Sequence, residues 1–179
     1  QTCALPIFQE IKLTAAGRSA LEGLTRDLEA RTGGTWSYHT DRCQNASSQH
    51  LALLYRHDRV RLTHVDTDPT IDPTAVRRPN VKTPCPGNLR PALAAYVRSL
   101  AGGLDFHLVT THLDSGRKAR DFNNRRAAWD LFEKVVEGRL SRMADTDLIL
   151  AADLNTMGSP AAGVLNGAAE RRLLDRKST

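Results

Sequence analysis

Hydrophobic and polar positions along the chain switch between a two-residue and a three-to-four-residue period, and the switches mark out its elements. Phe8 to Leu13 reads as the end of a strand. From Ala15 to Arg31, apolar Ala20, Leu21, Leu24 and Leu28 recur at helical spacing, and Gly33-Gly34 stops the helix. Thr35 to Thr40 is rich in aromatic and β-branched residues and reads as a strand. His50 to Tyr55 and Arg59 to Val65, separated only by Arg56-His57-Asp58, have the spacing of a β-hairpin. Asp66 to Asn88 carries five prolines among Asp and Thr and reads as a long irregular loop.

Leu89 to Leu100 and Leu104 to Thr111 form a second strand pair around Ala101-Gly102-Gly103. A longer helix follows from about Arg120 to Met143, with Phe122, Trp129, Phe132, Val136 and Leu140 along one stripe. Asp147 to Ala151 lacks polar alternation, which predicts a central strand covered on both faces. Pro160 to Leu174 reads as a helix with Ser159 as its N-cap. Strand pairs alternating with helices imply a layered α/β or α+β domain.

Composition narrows this picture little. Of 179 residues, 40% are apolar and 25% charged, the balance of a globular rather than a disordered chain. No run approaches the roughly 18 to 20 apolar residues of a membrane span. The net charge of +5 is carried mostly by Arg, whose planar fork suits phosphate oxygens. An Arg- and Ala-rich chain equally reflects a GC-rich genome, so charge alone decides nothing.

The two ends change the reading more. Gln1 to Ile7 can be encoded by CAG ACG TGT GCT CTT CCG ATC, and Asp175 to Thr179 by GAT CGG AAG AGC ACA. These are a common sequencing-adapter sequence and its match on the other strand. Residues 1–7 and 175–179 are therefore expected to be adapter translation, and 8–174 a single partial domain with both natural termini missing. Excluding the ends leaves Cys43 and Cys85, each in a polar loop. A disulfide between them, in a secreted or periplasmic protein, is the expectation; two free thiols are the alternative.

Three short segments place polar groups at strand ends: Gln9-Glu10, Thr111-His112-Leu113 and Asp153-Leu154-Asn155. Phosphodiester hydrolysis needs a cation on the phosphoryl oxygen, a base to orient water and donors for the charged transition state. Glu10 suits a direct Mg²⁺ ligand and Asp153 a water-orienting base. Asn155 suits a neutral phosphate or water partner, and His112 a phosphate contact or general acid. In an extended segment Asp153 and Asn155 would point to the same side. Each residue also has an ordinary structural reading: Glu10 as a solvated charge, His112 as a hydrogen-bonded core residue, and Asp153 with Asn155 as the shapers of a turn.

The order Gln9-Glu10, Leu53-Leu54-Tyr55-Arg56, Arg90-Pro91-Ala92, Thr111-His112-Leu113 and Asp153-Leu154-Asn155 resembles the DNase I-like endonuclease/exonuclease/phosphatase superfamily. The likeness extends over nearly all of residues 8 to 158. It implies a four-layer α/β sandwich with two packed mixed β-sheets, incomplete in this chain. It further implies a metal site at Glu10 for Mg²⁺, with Mn²⁺ as a substitute, and catalytic roles for His112, Asp153 and Asn155. Arg90 would be a phosphate contact, with a plain surface position as its alternative.

Two departures bear on activity. Ala152 stands where the superfamily usually has Gly before the Asp-x-Asn unit. The superfamily's first-strand Asn, its later Asp and its closing Asp-His pair have no counterpart here, so the segment alone is expected to be inactive. The implied activity is a Mg²⁺-dependent phosphodiesterase working as a monomer, with nucleic acid as the substrate favoured by charge. Few aromatics are available to stack bases, which keeps a sphingomyelinase- or inositol-phosphatase-like hydrolase open. A catalytically dead binding module with the same fold is the reading from another class.

Overall fold

Strand β1 (Ile7–Lys12) opens the computed structural model, which describes residues 5–43, 49–71, 91–115, 118–142 and 144–155, the side chain of residue 122 excepted. Helix α1 (Ala15–Thr32) follows, with the Thr14 hydroxyl accepting from Gly17 N at 3.3 Å as its N-cap. Gly17 has no room for a side chain, because a Cβ there would lie 1.7 Å from Lys12 O. The first turn of α1 is thus pressed onto the end of β1. Gly33 ends the helix in the left-handed region at φ 66°, its N–H donating to Glu29 O. The expected apolar stripe differs at one position: Ala20 is exposed, and Thr25 is buried instead. Its hydroxyl donates to Glu22 O at 2.7 Å, which satisfies the polar group inside.

Strands β2 (Trp36–Thr40) and β3 (Gln49–Arg56) complete an antiparallel sheet in the order β1-β3-β2. Strand β4 (Val60–Asp68) belongs to a second sheet, in the order β4-β5-β6-β7, with β5 (Ala92–Ser99), β6 (Asp105–Thr110) and β7 (Leu148–Leu150). Between β6 and β7 lies helix α2 (Ala119–Leu140), and β6 and β7 run parallel. The second strand pair, β5 with β6, is an antiparallel ladder as expected.

The expected hairpin between β3 and β4 does not form. Both edges of β3 are already taken, by β1 and β2, so the chain turns at His57-Asp58 and crosses to the other sheet. Arg59 N donates to Arg56 O at 2.9 Å and His57 N to Thr35 O at 3.0 Å, which fixes that turn. Asp58 accepts from Arg56 Nη2 at 2.6 Å and Nε at 3.1 Å. The Arg56 hydrogen bond, more than the backbone bond from Thr35, holds the Asp58 carboxyl down at about 2.

The sign of the resulting pH dependence follows from a folded value below the usual 3.8. Ionised Asp58 supports the turn fully above about pH 4 and loses that support as the pH falls through the interval below. A side-chain carbonyl NMR titration should give a midpoint of about 2; a midpoint of 3.8 would mean that the pair is not formed in solution.

β4 runs to Asp68, so the irregular loop begins later than expected, after a 3₁₀ turn at Pro69–Ile71. The rest of that loop, with Cys85, lies outside the described residues, as do Arg90 at the start of the next expected strand and the helix expected over 160–174. Cys43 is disulfide-bonded, and the Cys85 half of the expected pair is among those undescribed positions.

Side chains of alternate parity build two cores. Leu51 and Leu53 of β3 meet Leu93, Ala95 and Val97 of β5 and Leu108 of β6 between the sheets. On the far side of the second sheet, Ala92, Ala94 and Val109 meet Trp129, Phe132, Val135 and Val136 of α2, with Ile71 closing the cluster. α1 covers the first sheet, and Trp36 Nε1 donates to Thr32 Oγ1 at 2.9 Å. The result is helix, sheet, sheet, helix: the four layers that the sequence implied.

The order of strands adds one finding: among the described residues β7 is the edge strand, and its Ile149 is 46% exposed. Leu148 and Leu150 pack toward α2, but the described strands of the three-stranded sheet do not cover the other face of β7. Two strands are buried on both faces: β5, at every residue from Ala92 to Val97, and β3, from His50 to Leu54.

Candidate active site

The ends of β6 and β7 meet a bulge within β1 at one rim, so Gln9-Glu10 lies inside its strand and not at the strand end expected. β6 and β7 pair with Val109 opposite Leu150, and three residues further on the same register places His112 opposite Asp153. Backbone bonds fasten the extension: Ala151 N to Val109 O at 3.0 Å, Asp153 N to Thr111 O at 3.1 Å, and Leu113 N to Asp153 O at 2.9 Å. β6 therefore delivers His112, and β7 delivers Asp153, to the same edge.

Glu10 comes from the other sheet. Phe8 lies opposite Ala52 and Ile11 opposite His50, so Gln9 and Glu10 together face the single residue Leu51. This is a β-bulge. In a regular strand Gln9 and Glu10 would point to opposite faces. With the extra residue, both side chains reach the second sheet: Gln9 Nε2 donates to Thr111 O at 3.1 Å, and Glu10 Oε1 lies 3.6 Å from His112 Nε2. Glu10 has φ 60°, a left-handed conformation that costs a non-glycine residue about 1–2 kcal/mol. The contacts of the bulge must offset that cost.

The geometry brings together four of the five residues named from the sequence. His112 is 2% exposed, and its Nε2 stands 3.6 Å from Glu10 Oε1 and 3.6 Å from Asp153 Oδ2. The two carboxylate oxygens are thus no farther apart than twice that distance, and both residues are half exposed. Two half-exposed carboxylates beside one buried imidazole define a polar site open to water. The fifth residue, Arg90, lies outside the described residues.

Asn155 corrects the extended reading of the Asp-x-Asn unit. It sits at φ 46°, and Asn155 N donates to Asp153 Oδ1 at 2.9 Å, so the segment is a turn. Asn155 Nδ2 donates to Leu113 O at 2.7 Å. A carbonyl only accepts, which fixes the orientation of that amide. The carboxylate of Asp153 has two tasks: Oδ1 shapes the turn while Oδ2 faces His112. Ala152, in place of glycine, keeps a negative φ, so no strain arises there.

The loop after His112 is tied to α2. Arg125 Nη1 donates to Asp114 O at 2.7 Å and Asn124 Nδ2 to Asp114 Oδ2 at 3.2 Å. Sequence reasoning gave no role to these residues, or to Gln9. The Arg125 contact has no local signal, since it joins residues eleven positions apart through a backbone carbonyl. On the other side of the bulge, Asp41 and His50 form a buried pair, His50 Nδ1 to Asp41 Oδ1 at 2.7 Å. Among the described residues no group of three or more His, Cys, Asp or Glu side chains is arranged to hold a metal ion.

No protein-family model and no curated protein matches the sequence. Solved structures do match. The human Nocturnin catalytic domain with bound sulfate superposes with a TM-score of 0.59 at 15% identity, covering 94% of this chain and 55% of that one. An endonuclease/exonuclease/phosphatase family protein from Bacteroides thetaiotaomicron gives 0.54 at 15% identity, over 81% and 50%. TDP2 from D. rerio, complexed with single-strand DNA product, gives 0.52 at 18%, over 90% and 51%. The fold is thus the DNase I-like endonuclease/exonuclease/phosphatase fold, as the sequence motifs implied. The chain spans about half the length of these solved chains.

Proposed function

We propose that the protein to which this chain belongs is a metal-dependent phosphodiester hydrolase. The observation that carries the reading is the convergence of Glu10 and Asp153, from different sheets, on His112 Nε2. The donor set suits Mg²⁺, or Mn²⁺ in its place. Mg²⁺ binds through one or two carboxylates and keeps several waters, and here two half-exposed carboxylates flank the buried imidazole of His112. Glu10 would hold the ion, which when bound supplies positive charge to the phosphoryl oxygens.

The chain's own residues divide the remaining work. Asp153 Oδ2 orients a water and takes its proton as the water oxygen bonds to phosphorus. His112 Nε2–H donates to a phosphate oxygen, steadying the charge that builds as the ester P–O bond breaks and the alcohol leaves, taking its proton from solvent water. Asn155 locks the Asp153 turn through its backbone N–H, and Arg90 contacts a flanking phosphate. Nucleic acid is the favoured substrate, supported by the net charge of +5 and by the DNA product in the TDP2 structure. We further propose a monomer, secreted or periplasmic, on the strength of the bonded Cys43. The 179-residue segment by itself should hydrolyse poorly, since it spans only half of the similar folds.

The test uses the gene product read through both ends of this segment, with bis(p-nitrophenyl) phosphate and a short single-stranded DNA. Cleavage should require Mg²⁺ or Mn²⁺, stop on chelation with EDTA, and fall by orders of magnitude in Glu10→Ala. Full activity in EDTA would sink the metal reading. Cleavage of sphingomyelin or inositol phosphates alone would reassign the substrate, and tight DNA binding without cleavage would leave a binding module.

A further inference from the structure

From the bulge we infer that Gln9 is a positioning residue that aims the Glu10 carboxylate at the site. The inference rests on the metal reading above and names the residue that regulates the geometry of its ligand. Three observations carry it. The bulge is the only reason that Gln9 and Glu10 share a face, because two residues here oppose one on β3. Glu10 is held at φ 60°, a conformation it would leave if untethered. The Gln9 amide spans from one sheet to the other and ends on Thr111 O, one residue before His112.

Thr111 O has a second donor, Asp153 N, at 3.1 Å. One carbonyl oxygen therefore fixes both carboxylates: Asp153 through its own backbone, and Glu10 through the neighbouring Gln9 side chain. A carbonyl has two lone pairs, and both are used. Removing the Gln9 donor frees the bulge to relax toward regular strand geometry. That relaxation turns the Glu10 side chain away from His112, while the Asp153 anchor stays in place. The expected defect is therefore specific: weaker metal binding with the rest of the rim intact. An amide that merely filled space would produce no such separation.

The experiment compares wild type, Gln9→Met and Glu10→Gln in the gene product read through both ends. Mg²⁺ affinity is measured by calorimetry, hydrolysis as kcat and KM, and folding as Tm. Gln9→Met keeps the length of the side chain and removes the donor. It should raise the half-saturating Mg²⁺ concentration about tenfold, the range typical of groups that orient a ligand, with Tm and diester KM close to wild type. Should Gln9→Met fail to fold, Gln9→Asn, a methylene too short to reach Thr111 O, is expected to give the same shift. Unchanged Mg²⁺ affinity in the folded Gln9 variant, with affinity lost in Glu10→Gln, overturns the positioning role alone. Unchanged affinity in Glu10→Gln overturns the metal reading and this inference with it.

Discussion

Asp153→Ala is expected to lower kcat for diester hydrolysis by about 10² to 10⁴-fold, the range for removing a positioned acid–base group, with KM little changed. The separation of kcat from KM follows from what the side chain touches. Asp153 Oδ2 faces His112 at 3.6 Å and is open to water, so it acts on the attacking molecule rather than on the bulk of the substrate. The fold should survive the change. Asp153 is half exposed, and its N–H and C=O bonds, to Thr111 O and Leu113 N, belong to the backbone. What the substitution does remove is the Oδ1 acceptor for Asn155 N. Asp153→Asn separates the two roles, since an amide oxygen can keep the turn while no longer taking a proton. Equal losses in the Ala and Asn variants assign the effect to the base. A rate near wild type in Asp153→Asn would remove Asp153 as the base and leave it a turn-former.

The second large effect concerns stability. Asp41→Ala should cost several kcal/mol, since each buried donor that loses its acceptor costs about 1–3 kcal/mol. Asp41 is 2% exposed and accepts three bonds: from His50 Nδ1 at 2.7 Å, from Cys43 N at 3.0 Å and from Leu51 N at 2.7 Å. Alanine removes the acceptor from all three, and the Leu51 N–H and the His50 ring lie in the buried interior. Against a total of about 5–15 kcal/mol for a typical domain, that is a large share. The damage would reach the site, because His50 pairs with Ile11 directly after Glu10. Urea denaturation measures the loss. Asp41→Asn, which keeps one acceptor oxygen, should fall between wild type and Asp41→Ala; a loss under about 1 kcal/mol in Asp41→Ala would show that the donors find other partners.

How the site was legible bears on how far such reasoning extends. His112 and Asp153 were visible because each follows a largely apolar strand, and strand ends collect on rims of sheets; Glu10 and Asn155 stood out as polar residues beside apolar ones in the same motifs. Their convergence was not visible. It depends on the parallel register of β6 and β7 and on a bulge in β1, and neither leaves a local mark. The tight Arg56-His57-Asp58 connection looked like a hairpin turn, since a three-residue link between two strands fits one. Only the occupancy of both edges of β3 excludes that pairing, and edge occupancy is a property of the sheet. The burial of β5 was not legible for a related reason. A run such as Leu148-Ile149-Leu150 advertises burial, whereas Ala92-Leu93-Ala94-Ala95, built mostly of small side chains, is buried more completely. Alanine suits a strand squeezed between a sheet and a helix, yet it carries a weak hydrophobic signal.

The sequence by itself determined the elements, the layered class and the identity of the residues at the rim. Periodicity, turn residues and caps act over a few positions, and those are forces a local reading can follow. Tertiary structure alone decided which strands pair, which strands are enclosed, and how two carboxylates from separate sheets come to face one buried histidine. Those outcomes follow from burial and from backbone bonds between distant segments, whose energies exist only once the layers have packed.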